Sequence, residues 1–186
     1  MGITAETYER VALEDVHGGW ELVCGQLRQK PPMTTEHQSA IRQAAEQFHD
    51  QLDRREYAVD TAQTRLRISA ENYLIPDLCV LPRELVRRRR MEHPRELEIF
   101  DGPLPLVVEV WSPSTGDRDR NEKLQAYQRR GDAEIWLIHP YERWLKAWRR
   151  QADGSYSETL FSGAAIVEPL ALPGVRIALA KLFDED

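Results

Sequence analysis

Cysteine is scarce. The 186 residues include two, Cys24 and Cys79, far apart and in no CxxC pair. That excludes a disulfide-stapled scaffold, a zinc ribbon and a dithiol redox motif. A reducing, cytoplasmic setting is the plain expectation, and Cys79, set in an apolar run, reads as a small core residue. Long apolar runs are missing as well. The longest are strand-sized, so no membrane span is expected. "MGITAETYERVALEDVHGG" has no basic segment followed by an apolar one, so no secretory leader is expected. It also lacks the Ser or Thr that a myristoylation signal needs. Positive charge is in deficit: 25 Lys and Arg face 31 Asp and Glu, a net charge of −6. That argues against a high-affinity, non-specific coat on nucleic acid. A local basic cleft stays compatible, because field focusing depends on where charges sit.

What is present is globular in character. Hydrophobic residues make up 41% and charged residues 30%, the balance of a chain that buries a core. There is no internal repeat and no low-complexity linker. We read one domain over residues 1–186, with 1–19 as an N-terminal helical extension.

The periodicity predicts a short helix over 5–16. "WELVCGQLRQK" alternates apolar and polar residues around a Cys24-Gly25-Gln26 turn signal, which predicts a hairpin. "PPMTTEH" stops that pairing. Thr34 is the expected N-cap of a helix over 35–54, with Ile41, Ala44, Ala45, Phe48 and Leu52 on one face. Residues 57–69 and 72–82 read as strands, the second interrupted by Pro76-Asp77. Residues 83–102 read as a charged excursion. A buried strand over 104–111 is followed by a polar loop and a helix over 119–130. Asp119 and Glu122 there fit a capping box, and Gly131 fits the stop. A strand over 133–140, a hairpin over 143–161 around Asp153-Gly154 and a strand or short helix over 172–183 complete the chain. The order predicts an α/β fold, a mixed sheet with helices on its faces.

Two acids sit where acids are costly. Asp77 interrupts "YLIPDLCVLP" and Glu109 interrupts "PLVVEVW". A buried, unpaired carboxylate is penalised by several kcal/mol, so each needs a partner. Pro76 lacks a backbone donor, which places Asp77 at a strand end or bulge. The bland reading makes Asp77 a turn residue and gives Glu109 an arginine partner. Two carboxylates on successive strands, with no His or Cys cluster near them, also suit a hard cation, Mg²⁺ or Mn²⁺, that keeps room for a phosphate.

"LIPDLCVLP", then "LPLVVEVWSPSTGDRDRNEKLQAYQRRGDAEIWLIHP", then "ALPGVRIALAKLF" resembles the Uma2 family, or DUF820, of bacterial proteins in the PD-(D/E)xK restriction-endonuclease-like superfamily. The similarity runs from about Trp20 to Phe183. It implies a restriction-endonuclease-like mixed central β-sheet flanked by helices. It also implies a Mg²⁺- or Mn²⁺-dependent nuclease site in which Asp77 and Glu109 bind metal. The superfamily lysine should stand two residues after Glu109, where this chain has Trp111. Lys123 on the following helix is the implied replacement. Asp119, four residues earlier on the same helical face, would pair with Lys123. On the bland reading Lys123 is a surface lysine with no other partner. Glu36, His37 and Ser112 are accessory candidates, with Glu36 and His37 opening the long helix. Tyr127 reads as packing with a wet hydroxyl, and His139 as structural. "RRRR" at 87–90, with Arg118, Arg120, Arg129 and Arg130, reads as a solvated face or as contacts to DNA phosphates.

Two readings follow. One is a metal-dependent nuclease or phosphodiesterase acting on DNA. The other is a non-catalytic protein of the same fold that binds nucleic acid or a protein partner. A homodimer is expected, because nucleases of this fold often cut two strands as dimers. Trp144 and Trp148, on one face of the hairpin, would pack between subunits.

Overall fold

A computed structural model describes residues 2–15, 17–113 and 116–183, without the side chains of 116–120. The chain opens with α1 (Ala5–Glu14), whose N-cap Thr4 accepts a hydrogen bond from the Thr7 N–H at 3.2 Å. Next come β1 (Trp20–Val23) and β2 (Gln26–Gln29), joined through Cys24 and Gly25. Both turn residues have positive φ, 49° and 72°, the backbone a tight antiparallel hairpin demands. The next helix, α2 (Thr35–Gln51), is capped by Thr34 through the His37 N–H. It stops short of residue 54 because the Asp53 side chain and carbonyl bond the N–H groups of Arg55 and Tyr57, starting a turn.

Then follow β3 (Tyr57–Thr61), β4 (Arg65–Ser69), β5 (Asn72–Leu74) and β6 (Leu78–Pro82). Residues 57–69 and 72–82 are thus each two strands rather than one, and the halves belong to different sheets. The first break is made by Asp60. Its carboxylate accepts from the N–H groups of Gln63 and Thr64, at 3.3 and 2.7 Å, around an Ala62 with φ of 55°. The second is made by Pro76, which has no N–H to offer a ladder. The remaining elements are α3 (Arg83–Glu92), β7 (Ile99–Phe100), β8 (Leu106–Val110), α4 (Gly116–Arg130), β9 (Glu134–His139), β10 (Trp144–Arg150), β11 (Tyr156–Ser162), β12 (Ile166–Val167) and β13 (Ile177–Ala178). A 3₁₀ turn over Leu179–Leu182 follows.

Six strands form a mixed central sheet in the order β11-β10-β9-β8-β6-β3. Its one parallel pair is β8 with β9, and α4 is the crossover between them. A second sheet, β2-β1-β5-β4-β7, and a two-stranded one, β12-β13, lie beside it. Alternation along β6 and β8 decides what each face meets. Leu78, Val80, Leu106 and Val108 pack with Ala40, Ala44 and Phe48 of α2. Cys79, Leu81 and Val107 pack with Ala126 and Tyr127 of α4 and with Leu66 and Leu74 of the second sheet. The outer face of that sheet is covered by Tyr8 and Ala12 of α1. Glu109 shares the parity of Val107, so its side chain falls on the α4 side. Among the described residues no helix is long and apolar enough to cross a membrane.

Candidate active site

The end of β8 where the chain leaves for α4 is where an open α/β sheet presents its ligands. Asp77 stands just before β6, the antiparallel neighbour of β8. Its Oδ2 accepts the Val110 N–H at 2.8 Å, so the carboxylate is bolted to the strand that carries Glu109. Its Oδ1 accepts from the Lys30 ammonium, also at 2.8 Å, and Lys30 reaches the Ile75 carbonyl at 2.9 Å as well. His37, from the first turn of α2, brings Nε2 to 3.2 Å from Oδ2. That nitrogen is close enough for charge to act, yet among the described residues no hydrogen bond forms at either ring nitrogen of this buried imidazole. Burial pushes the Asp77 pKa up. Lys30, His37 and Lys123 outweigh burial and hold the carboxyl well below the usual range, so it is ionised.

Glu109 is held differently. Its Oε1 accepts the Tyr127 hydroxyl at 2.6 Å and lies 3.4 Å from Lys123 Nζ. Among the described residues no donor reaches Oε2. Burial raises its pKa against the pull of Lys123, with Asp77 and Glu21 adding to the rise, and the result is about 7. Lys123 turns inward and is 7% exposed. Its Nζ donates to Glu21 Oε1 at 2.9 Å. The same oxygen accepts the Ile75 N–H at 2.8 Å. Burial alone would favour a neutral amine, but Glu109, Glu21 and Asp77 hold Lys123 protonated. Tyr127 is fully buried, and its pKa is driven well up by burial and the Glu109 charge, so it stays a donor. This corrects the expectation of a wet hydroxyl.

A cleft of about 40 Å³ is lined by Asp77, Glu109, Lys123, Lys30, Glu21 and His37. Its volume holds two or three waters. Ser112, buried, and Trp111, half-buried, also line it. Glu36 does not. It is exposed on the first turn of α2, where Tyr141 donates to it at 3.2 Å. Asp119, Ser114, Arg118 and Arg120 lie outside the residues whose side chains are described, so the expected Asp119–Lys123 pair and the capping box are not placed. Of the arginines read as phosphate contacts, Arg89 pairs with Glu96 and donates to the Leu97 carbonyl, and Arg130 pairs with Asp132. None of residues 87–90 lines the cleft. His139 accepts the Glu142 N–H at 3.1 Å and stacks on Trp111 with centroids 4.4 Å apart.

Glu21 and Lys30 were not legible in the sequence. They alternate with apolar residues in a hairpin whose polar positions read as solvent-facing. β1 instead lies inside the second sheet, between β2 and β5, with α1 over one face, and Glu21 is 5% exposed. The one local hint is Pro31-Pro32, which ends β2 and pins Lys30 at the cleft.

A hard cation fits the donor set in one respect. Glu109 keeps an oxygen without a described donor beside an ionised Asp77, and both line one cleft. No group of three His, Cys, Asp or Glu is gathered among the described residues.

Comparison with known proteins agrees with this architecture. No curated protein matches the chain. A crystal structure described as "a putative nuclease belonging to DUF820 from Anabaena variabilis" superposes with a TM-score of 0.78, at 20% identity, over 97% of each chain. At that identity the likeness concerns the fold. The Uma2 family model, described as "Putative restriction endonuclease", matches residues 5–180. The chain therefore belongs to the Uma2 family.

Proposed function

We propose that the protein is a metal-dependent nuclease that hydrolyses DNA phosphodiester bonds. The observation that carries this reading is the convergence of Asp77, Glu109 and Lys123, from the β5–β6 connection, β8 and α4, on one cleft. Asp77 and Glu109 would hold Mg²⁺ or Mn²⁺. Bound there, the cation would offset phosphate charge and lower the pKa of a water. The chain's own residues do the rest. Tyr127 and Val110 N–H fix the two carboxylates in place. Lys123, kept protonated by three acids, presents positive charge where a phosphorane would develop it negatively, in a site already desolvated. Lys30 adds a second positive charge at Asp77 Oδ1.

Two observations favour the non-catalytic alternative. Lys30 already satisfies Asp77 Oδ1, and Trp111 occupies the superfamily lysine position. Plasmid nicking decides between the two. With Mg²⁺ or Mn²⁺ the wild type should nick supercoiled DNA, and Asp77→Asn and Glu109→Gln should not. Equal nicking by all three, or none by any, would remove the enzyme reading.

A further inference from the structure

A second cavity, of about 230 Å³, adjoins the acid cleft on the α4 side of the central sheet and shares Glu109 and Leu137 with it. Its walls include Trp144 and Trp148 of β10 and Leu124, Tyr127 and Asn121 of α4. Strand register places it. Glu109 pairs with Leu137, Leu137 with Lys146, and Lys146 with Leu160, so one cross-strand row leads from the acid onto β10. Adjacent strands lie about 4.8 Å apart, so Lys146 is about 10 Å from Glu109 along that row. Trp144 and Trp148 flank Lys146 on the same face.

Both indoles are held at their edges. Trp148 Nε1 donates to Glu158 at 2.9 Å, and Trp144 Nε1 donates to Glu142 at 2.7 Å. Edge-bound indoles keep their orientation, and His139 backs the Trp144 ring with centroids 4.9 Å apart. The charge here is balanced: Lys146 pairs with Glu158 at 2.7 Å and lies over the Trp148 ring at 5.7 Å. A phosphate would meet Glu158 as well as Lys146. A flat, uncharged group with polar edges would meet two aromatic faces, an amide and a paired charge.

We propose that this cavity is a nucleobase-stacking site, which seats an unstacked base next to the phosphate held at Asp77 and Glu109. The proposal rests on the nuclease reading and deepens it. Base–aromatic stacking tolerates any base, so the site would favour single-stranded or frayed DNA without fixing a sequence.

Two oligonucleotides of about 12 nucleotides test it. One is oligothymidylate, and the other has the same sugar-phosphate chain with every base removed. Their phosphates are equal, so any difference reads the bases. In chelator, wild type should bind the thymidylate roughly tenfold more tightly and quench tryptophan fluorescence with it. Trp148→Leu and Trp144→Leu should lose that difference, and Trp148→Phe should keep most of it. If wild type nicks DNA yet binds both strands equally, the base site is wrong and the nuclease reading stands. If wild type neither binds nor nicks, both fall. If sedimentation shows a dimer that Trp148→Leu splits, while the two strands bind alike, the face is a subunit interface and the proposal is overturned.

Discussion

Lys123 Nζ lies 2.9 Å from Glu21 Oε1, a contact between residues 102 apart in sequence. It ties the helix of a βαβ crossover to the hairpin of a second sheet, and both residues line the acid cleft. The same Glu21 oxygen also accepts the Ile75 N–H just ahead of Asp77. One carboxylate therefore sets the position of both the lysine and the segment that carries an acid.

Glu21→Ala should destabilise the fold by about 3–5 kcal/mol, because it leaves the buried Lys123 charge and the Ile75 N–H short of an acceptor. For a chain of this size that is a fall in Tm of roughly 6–20 °C. Glu21→Gln, which can still accept from Ile75, should cost less than half as much. Thermal melts read both. Equal, small effects would show that Glu21 does not support the site.

Lys123→Ala should lower the nicking rate by about 10²–10³-fold, the cost of removing one preorganised charge from a desolvated site. Lys123→Arg should recover part of it. Single-turnover kinetics separate this loss from weaker binding. Wild-type rates in Lys123→Ala would exclude the lysine from the chemistry.

The Glu109 carboxyl has a folded-state pKa raised to about 7, chiefly by burial, against about 4.3 in the unfolded chain. The folded state therefore holds this proton more tightly. Its stabilising contribution is complete below about pH 4 and is lost as pH rises through 7. Glu109→Gln keeps an acceptor for Tyr127 and cannot ionise. In chelator, the Tm of the variant relative to wild type should rise between pH 5 and pH 8. A difference that stays flat with pH would contradict the raised pKa.

Asp132 is fully buried. It pairs with Arg130 and accepts the Leu104 N–H at 2.7 Å, joining the end of α4 to the entry of β8. Asp132→Ala strands the guanidinium and should cost about 3–5 kcal/mol with no pH-dependent change in cation affinity. Denaturant unfolding measures the first, and Mn²⁺ calorimetry measures the second. A loss below 1 kcal/mol would show that Arg130 finds water.

Asp77→Asn should abolish Mn²⁺ binding while keeping an acceptor for Val110 N–H. Heats of binding identical to wild type would place any cation elsewhere.

The sequence alone determined the main helices, the two hairpins and the two costly acids, while the breaks that send 57–69 and 72–82 into two sheets each came from the structure. Asp77 and Glu109 stand out because a carboxylate in an apolar run must be accounted for locally, by its own solvation cost. The caps at Thr34 and Gly131 and the hairpins at Cys24-Gly25 and Asp153-Gly154 were readable for the same reason: their conditions are met within a few residues. Only the tertiary structure decided who partners those acids. Glu21 and Lys30 look like the outward positions of an exposed hairpin, and Tyr127 looks like packing. Their roles arise when the sheet that contains β1 packs beside the central sheet and α4 crosses back above Glu109. Burial, which sets both the pKa values and the strength of each charge pair, is a property of that assembly and of no single stretch of chain.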